Sequence, residues 1–506
     1  MELLDLILGG FRTALSVENV LYCFIGVLLG TVIGLLPGLG SATGVALLLP
    51  LTIGQRPVTA LIMLAGIYYG CQYGGTISSV LIATPGDSST VVSAFDGYQM
   101  ARRGRAGPAL AIAAVASFVA GTISIAFLMT LAPVLSGFAL RFGPPENFAI
   151  LVLGMLSIVG FGRNRMKGFA MAALGLTLAM VGIDAQTGVS RFTFGNPELL
   201  GGVGFLQIVI GLFAVGEVMR QVSQGLPHPI RTRFREMLLT RDDLRRSGGP
   251  IVRGGLLGFL IGTLPGGGAT IASFLSYDVE RRVHGTRRKS GTAFGEGAIE
   301  GIAGPEAANN AAANGAFVPT LTLGIPGSAT TAVLLGAFLL YGIQPGPLLL
   351  TEQSELAWGL MASFYIGNVM LLGLNLPFAP VFASILRLPY AYLYPIILLV
   401  SYLGAYAVEN RMWGAWLALA FGVLGYLMIR FEWPAAPVIL GVILGGLMEQ
   451  TLVQTSSMGG GDLSIFLRRP LALGIFGLSV LFVVVPPLAR RARAARVARE
   501  LEEVCS

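Results

Sequence analysis

Long apolar runs, separated by short polar or basic segments, set the pattern of this chain. The clearest cover residues 109–131, 148–162, 412–428, 438–452 and 471–485. Several approach or exceed the roughly 20 residues that a helix rising 1.5 Å per residue needs to cross about 30 Å of hydrocarbon. The pattern predicts an all-α polytopic membrane protein with about 11–12 membrane-embedded helical elements. Residues 1–17 read differently. Glu2 and Asp5 come early and Arg12 late, without the basic start and small-residue cleavage site of a signal peptide. They predict an interfacial helix that stays on the mature protein.

Glycine and proline break the runs, and the breaks come in pairs. GLLPGLG at residues 34–40 matches GTLPGGG at 262–268, aligning Pro37 with Pro265 at an offset of 228. LIATPGDSSTVV at 81–92 resembles TLGIPGSATTAV at 322–333, aligning Pro85 with Pro326 at an offset of 241. NRMKG from Asn164 matches NRMWG from Asn410 at an offset of 246. Three matches in one order, with slowly growing offsets, indicate two copies of one unit.

Loop charge gives the orientation of the copies. After the first broken segment, copy one has a single Arg56 where copy two has the basic residues 281–289. After the second, copy one carries Arg102, Arg103 and Arg105 where copy two has the uncharged residues 341–347. At the third pair, Arg163, Arg165 and Lys167 stand against a nearly neutral Glu409-Asn410-Arg411. If arginine-rich loops are cytoplasmic, copy two lies upside down relative to copy one. The expected layout is an inverted repeat over residues 18–219, a basic cytoplasmic linker over 220–250, a second repeat over 251–453, an additional C-terminal transmembrane helix within 454–489 and a basic cytoplasmic tail over 490–506. Arg468 and Arg469 are exceptions to the charge rule. Inverted repeats with interrupted helices recur in secondary transporters, with the binding site near the midplane where the repeats meet.

Residues 251–280 run between two basic loops with LPGGG at their centre, and about 28 residues at 1.5 Å each cannot cross twice. They predict a re-entrant hairpin tipped by residues 265–268, with residues 19–50 as its inverted partner, tipped by 37–40. At such tips glycine lets the backbone approach a ligand, and the N-terminus of the returning half-helix carries a partial positive charge suited to a carboxylate. The substrate-binding candidates are Gly38, Gly40, Ser41 and Thr43 at the first tip and Gly266, Gly267, Gly268 and Thr270 at the second. The broken helices add Gly86, Ser88 and Ser89, and Gly327, Ser328 and Thr330. Proline deletes an amide donor and frees a carbonyl, and a cation such as sodium wants several oxygen ligands. Pro37, Thr84, Pro85, Asp87, Pro265, Ile325 and Pro326 are accordingly the candidates for a coupling ion. Each motif alone also fits a kink or tight helix packing; the pairing in inverted copies favours the ligand seat. Asp87 equally suits a cation ligand, a proton carrier or an N-cap.

Polar groups inside a membrane are costly and mark function. GPEAANNAAANG at residues 304–315 places Asn310 and Asn314 four residues apart on one helical face, with Asn309 beside them. Their amides suit sodium, a carboxylate or interhelical hydrogen bonds between small residues. In copy one, Gln72 and Tyr73 are weaker candidates, and Glu217 and Glu449, at the ends of equivalent helices, read as interfacial.

Composition narrows the function classes. The 506 residues are 54% hydrophobic and 12% charged, against about 25% charged in an average soluble chain. The net charge of +7 sits in short segments between apolar runs, which is a topology signal and not a nucleic-acid surface. Cys23, Cys71 and Cys505 are too scattered for a metal cluster or disulfide framework, and His228 and His284 lie in basic loops. No GxSxG, HExxH or Walker lysine loop is present. No cofactor is expected, only sodium ions or protons as coupling ions.

Three stretches carry a family resemblance: GLLPGLGSATGVALLLPLT from Gly34, YGGTISSVLIATPGDSSTVVSAFDGYQMARRGRAGPAL from Tyr73, and GEGAIEGIAGPEAANNAAANGAFVPTLTLGIPGSATTAVLLGA from Gly295. They resemble the large permease subunit of the tripartite tricarboxylate transporters, the TctA-like family, essentially along the full length. The resemblance implies a multi-pass permease of the bacterial cytoplasmic (inner) membrane. It would work with a small membrane subunit of about four helices and a periplasmic solute-binding protein, importing tricarboxylates or related organic acid anions by symport with sodium or protons. Citrate, other carboxylates and aromatic acids are the substrate classes of related systems. Against this stand a stand-alone organic-anion carrier or channel, and a membrane-embedded enzyme, for which the chain shows no nucleophile-and-base or metal motif.

Overall fold

A computed structural model describes residues 2–161, 164–184, 187–221, 230, 234–286, 292–386, 390–481 and 483–484. Arg163, most of residues 222–233 with His228, residues 287–291 of the basic loop and the tail with Cys505 lie outside the described residues.

Helices account for nearly all of it. In chain order they are α1 (Glu2–Ala14), α2 (Val17–Leu35), α3 (Gly40–Leu48), α4 (Pro57–Ile82), α5 (Val91–Arg102), α6 (Ala106–Ala139), α7 (Pro144–Phe161), α8 (Arg165–Ala179), α9 (Phe205–Val209) and α10 (Gly216–Gln221). They continue with α11 (Arg241–Gly262), α12 (Gly268–Thr286), α13 (Glu300–Leu323), α14 (Ala329–Leu340), α15 (Leu349–Glu352), α16 (Ser354–Ile385), α17 (Tyr390–Glu409), α18 (Met412–Arg430), α19 (Ala436–Met458) and α20 (Ile465–Arg468). A last apolar helix, α21, covers Pro470–Leu481. One π-helical turn, Ile210–Val215, joins α9 to α10, and a two-residue antiparallel pair, β1 (Gly182–Ile183) and β2 (Ser190–Arg191), is the sheet among the described residues.

The chain is an all-α polytopic membrane protein. Five helices, α2, α6, α16, α18 and α19, are long and apolar enough to cross a bilayer, and five shorter apolar helices accompany them. Neither α4 nor α13 is among them. Every residue from Val58 to Ile82, and from Glu300 to Thr322, is buried in protein. Both carry hydroxyl and amide side chains, and α13 also Glu306, which are tolerated because the surrounding helices, and not lipid, meet them.

The chain divides into two compact units. The first comprises Met1–Leu140 and Gly204–Glu432. Here α2 lies along α4, and α11 lies along α13, each through a glycine seam. A Cβ at Gly26, Gly30 or Gly34 would fall 2.2–2.3 Å from the carbonyl oxygens of Met63, Ile67 and Cys71. One at Gly254, Gly258 or Gly262 would fall 2.2–2.3 Å from those of Gly304, Ala308 and Ala312. The two triplets stand at the same offset as Pro37 and Pro265, so the sequence pairing continues along α2 and α11. In a bilayer, small residues spaced by four let backbones touch, and van der Waals contact replaces the missing hydrophobic drive. Helix α1 docks on α16, with Gly10 against the Trp358 backbone and Phe11 stacked 5.9 Å from Tyr365. Helices α17 and α18 pack against the π turn, and α18 packs against α10.

The second unit comprises Arg141–Val203 and Trp433–Ser506. Its α8 lies along α19 with Gly175 against Gly441, and Met155 and Val159 of α7 pack on Ala172 of α8. Arg191 forks onto Glu449 at 2.6 and 3.0 Å.

One element begins earlier than hydropathy predicts. The hairpin expected over residues 251–280 has its first arm starting at Arg241, inside the basic linker. The cause is a capping box: Thr240 accepts from the Asp243 amide while Asp243 accepts from the Thr240 amide, satisfying two of the orphan donors of a helix start. Burial acts to raise the Asp243 carboxyl pKa, but the Arg105 guanidinium at 2.7 Å and the Thr240 donors together hold it below its usual range. That contribution is present above the unfolded value of about 3.9 and fades as pH falls through the lower folded one. Replacing Thr240 by alanine is expected to cost about 1 kcal/mol, read as a lower melting temperature of the purified protein in detergent.

Candidate functional site

All four expected breaks interrupt helix. Pro37 lies between α2 and α3, Pro265 between α11 and α12, Pro85 after α4 and Pro326 after α13. The paired breaks share backbone geometry. Gly38 and Gly266 have φ of +79° and +74°, and Gly40 and Gly268 have +62° and +60°. Helices α4 and α13 both end on a left-handed residue, Ala83 at +53° and Gly324 at +68°. Glycine takes that conformation freely, whereas Ala83 occupies it at a cost of about 1 kcal/mol or more.

The first tip is clamped to the first break. The amide of Gly38 donates to Pro85 O at 3.2 Å and that of Gly40 to Gly86 O at 2.9 Å. A Cβ on Gly86 would lie 1.8 Å from the Gly34 carbonyl oxygen, so only glycine admits this approach. Asp87 fastens the pair. Its Oδ2 accepts from the Ser41 amide at 2.7 Å and the Ser41 hydroxyl at 2.5 Å, and its Oδ1 accepts from the amide and hydroxyl of Ser89, both at 2.9 Å. One carboxylate thereby caps two helix starts, α3 and the turn that opens α5, each of which presents orphan donors and a partial positive charge.

The second tip meets the same place. Ser88 Oγ and Thr270 Oγ1 are 2.8 Å apart, joining the first broken helix to the start of α12. A Cβ at Gly268 would lie 3.8 Å from Ser328 Cβ, and α3 packs on α14. Ser328 caps α14 through a capping box with Thr331. The two ends are unlike in charge: α3 faces Asp87, whereas α12 meets the neutral Ser88 hydroxyl through Thr270. Of the candidate residues gathered here, Gly38 and Ser88 are exposed and Gly40, Asp87, Gly266, Gly268, Thr270 and Ser328 half-buried, while Thr43, Gly86, Ser89, Gly267, Gly327 and Thr330 are buried supports. The accessible subset is a patch of hydroxyls, backbone and one carboxylate.

The asparagines stand apart from it. Asn310 Nδ2 donates to Ser117 Oγ at 2.7 Å and to Asn309 Oδ1 at 2.6 Å, and Asn314 Nδ2 donates to Ser124 Oγ at 2.7 Å while its Oδ1 accepts from the Tyr69 hydroxyl. Ser117 and Ser124 belong to α6, so these amides tie α13 to α6. Ile325 and Pro326 are likewise buried.

Two groups did not announce themselves in the sequence, one against the first tip and one away from the site. Glu217, Arg220 and Gln221 of α10 reach the first tip: Gln221 Nε2 donates to Pro37 O, and a Cβ on Gly38 would lie 2.5 Å from Arg220 Nη2 and 2.6 Å from Glu217 Oε1. Glu217 is therefore paired with Arg220 against a tip and not simply at a helix end. The second group is Glu306, wholly buried in the middle of α13. Its place within the run at residues 304–315 was visible, but the neighbouring asparagines drew the inference.

A model of the tripartite tricarboxylate transporter TctA family matches residues 20–440. A protein of Agrobacterium vitis described as an uncharacterized 52.8 kDa protein in the TAR-I ttuC' 3'region is 44% identical over 487 residues, covering 96% of each chain. A second from the same organism, described as an uncharacterized protein in the TAR-II ttuC' 3'region, is 43% identical over 228 residues, covering 45% of this chain and 93% of its own. No solved structure matches.

Proposed function

This chain belongs to the tripartite tricarboxylate transporter TctA family, a family of membrane transporters, and we propose that it is the permease subunit of a binding-protein-dependent secondary transporter that imports an organic acid anion into the bacterial cytoplasm. The proposal extends to two inverted repeats over residues 18–219 and 251–453, to residence in the inner membrane, and to two partners: a small membrane subunit of about four helices and a periplasmic solute-binding protein. A gradient of sodium or protons drives import.

The observation that carries this reading is the meeting of both tips with both breaks at Ser88, Thr270, Gly40 and Gly268. Uncoiled backbone inside a membrane is tolerated where it is buried in protein or lines a water-filled cavity. Helix starts and small hydroxyls there can replace the water around a carboxylate. The start of α12, which faces hydroxyls, is the seat we assign to the anion. Asp87 makes the first tip the less favourable one for a negative charge.

Uptake by proteoliposomes holding the chain and both partners, with sodium and pH varied independently across a panel of carboxylates, tests the reading. Flux that follows concentration alone and ignores both gradients would convert it to a channel. Gly327→Leu is expected to abolish uptake while the protein still inserts, because the clash of its Cβ, 2.7 Å from Ala316 Cα and Cβ, falls at a single break and not along a helix seam. Wild-type flux in that variant would remove the assignment of the second break.

A further inference from the structure

Glu306 is the carboxylate that the proposed site leaves unexplained. It lies within α13 with no exposed surface. Its partners are neutral. Thr76 Oγ1 lies 3.0 and 2.9 Å from its two oxygens, the Ser93 hydroxyl donates to Oε1, and Asn309 Nδ2 donates to Oε2 at 3.2 Å. Helices α4, α6 and α14, which pack on α13, contain no charged residue.

The titratable groups that face it from its neighbours are accounted for otherwise. Tyr73 of α4 donates its hydroxyl to Leu110 O at 3.0 Å. Asp96 of α5 accepts from the amides of Gly295, Gly297 and Ala298 and from the Tyr277 hydroxyl of α12. Glu280 of α12 is forked by Arg253 of α11 at 2.8 and 2.6 Å. Glu300, at the start of α13, is held by Arg246 of α11 at 2.8 and 2.9 Å, with His284 of α12 at 3.9 Å. None brings a positive charge to Glu306 among the described residues.

A buried carboxylate without a cation must be neutralised by a proton or a bound ion, because isolated charge in an apolar interior costs far more than hydrogen bonds to neutral donors return. The amide network separates these two cases. Asn310 Nδ2 donates to Glu306 O at 3.3 Å and to Asn309 Oδ1 at 2.6 Å, which fixes Asn309 with its oxygen turned away and its NH2 toward Glu306. A metal ion at the carboxylate would meet hydrogens there in place of lone pairs. Gln72, one turn from Thr76 on the same face of α4, keeps its Oε1 buried without a donor among the described residues. One buried acceptor here is left without a hydrogen, which suits a proton better than a metal ion.

The carboxyl is also linked to the first break. Ser93 follows Thr90 by one turn of α5, Thr90 Oγ1 donates to Asp87 O at 2.9 Å, and Ser79 Oγ of α4 donates to Thr90 Oγ1 at 2.9 Å. A shift of the first break displaces Ser93 and changes the donors around Glu306.

We infer that Glu306 is a proton carrier of driven import, taking up a proton when the site opens to one side and releasing it when the site opens to the other. This rests on the transport reading above and assigns its coupling ion. An O–H bond forms on Glu306 at uptake and breaks at release, and no other bond changes.

The test compares the full chain with Glu306→Gln, which keeps an acceptor for Thr76 and Ser93 but cannot titrate. Two readouts are used. In proteoliposomes with both partners, the probe is the first carboxylate of the panel for which wild type shows counterflow at equal concentrations. The variant is expected to keep counterflow within threefold while losing at least tenfold of the uptake driven by an inward pH gradient. In pH-difference infrared spectra of the purified protein without substrate, the carbonyl band of one protonated carboxyl should vanish. Wild type without counterflow for any carboxylate would sink the transport reading, and the infrared arm would still decide whether Glu306 titrates. Uptake in Glu306→Gln that remains pH-driven, or that loses its dependence on sodium instead, overturns the proton assignment. Should Glu306→Gln fail to insert, Glu306→Asp and Ser93→Ala replace it. Both should keep driven uptake with its pH midpoint moved by at least half a unit, and an unmoved midpoint overturns the inference.

Discussion

Asp87→Asn is expected to lower carboxylate uptake by at least tenfold without preventing membrane insertion. Both carboxylate oxygens are committed as acceptors, to Ser41 on one side and Ser89 on the other. An asparagine presents an NH2 group to one of these donor pairs, turning two attractive contacts into donor against donor. Hydrogen bonds to a charged group contribute about 1.5–3 kcal/mol each, and a tenfold loss of rate or affinity needs only about 1.4 kcal/mol. The damage is local because the helices on either side are held by the glycine seam and not by Asp87. Uptake assays and quantitation of protein in the membrane fraction check it together. Normal uptake in Asp87→Asn would mean that the first tip and first break need not stay joined.

Gly30→Leu and Gly258→Leu are expected to do the reverse and destroy the protein before transport can be measured. A Cβ at either position falls 2.2–2.3 Å from a backbone carbonyl of the facing helix, and no rotamer change relieves a clash with main chain. Overpacking a core with flexible neighbours costs about 1–3 kcal/mol; parting two helices along a whole seam costs more than that. The yield of monodisperse protein in detergent is the measurement. Gly9→Leu is the control, since nothing lies within 4 Å of a Cβ at that exposed position, and it should purify like wild type.

The breaks were legible because proline and glycine are chemically unambiguous. A proline in an apolar run removes a donor, and a glycine beside it permits a positive φ, so Pro37, Pro85, Pro265 and Pro326 could be placed from spacing alone. The seams were legible in the same letters but went unread, since Gly26, Gly30 and Gly34 look like any other glycines until their facing carbonyls are known. The clearest apolar runs leave out α4 and α13, whose hydroxyl and amide side chains are met by protein and not by lipid. Glu306 was hidden by a different fact: Thr76, Ser93 and Asn309 come from three helices, and no period in the sequence joins them. Arg220 touches the first tip for the same reason, and its approach to Gly38 depends on how α10 returns to the hairpin. Asn310 and Asn314 were correctly seen to share a face, but only the fold reveals that the face is turned to α6.

Several helix pairings join segments that lie far apart in the chain. Helix α10, made early, finds α18 more than 150 residues later, and α7 and α8 wait similarly for α19. The ribosome therefore releases the first half with open flanks on both sets of helices, and neither can be sealed until the second half arrives. A gene split within residues 222–229 would yield two fragments that are each unable to mature alone but are competent when made together.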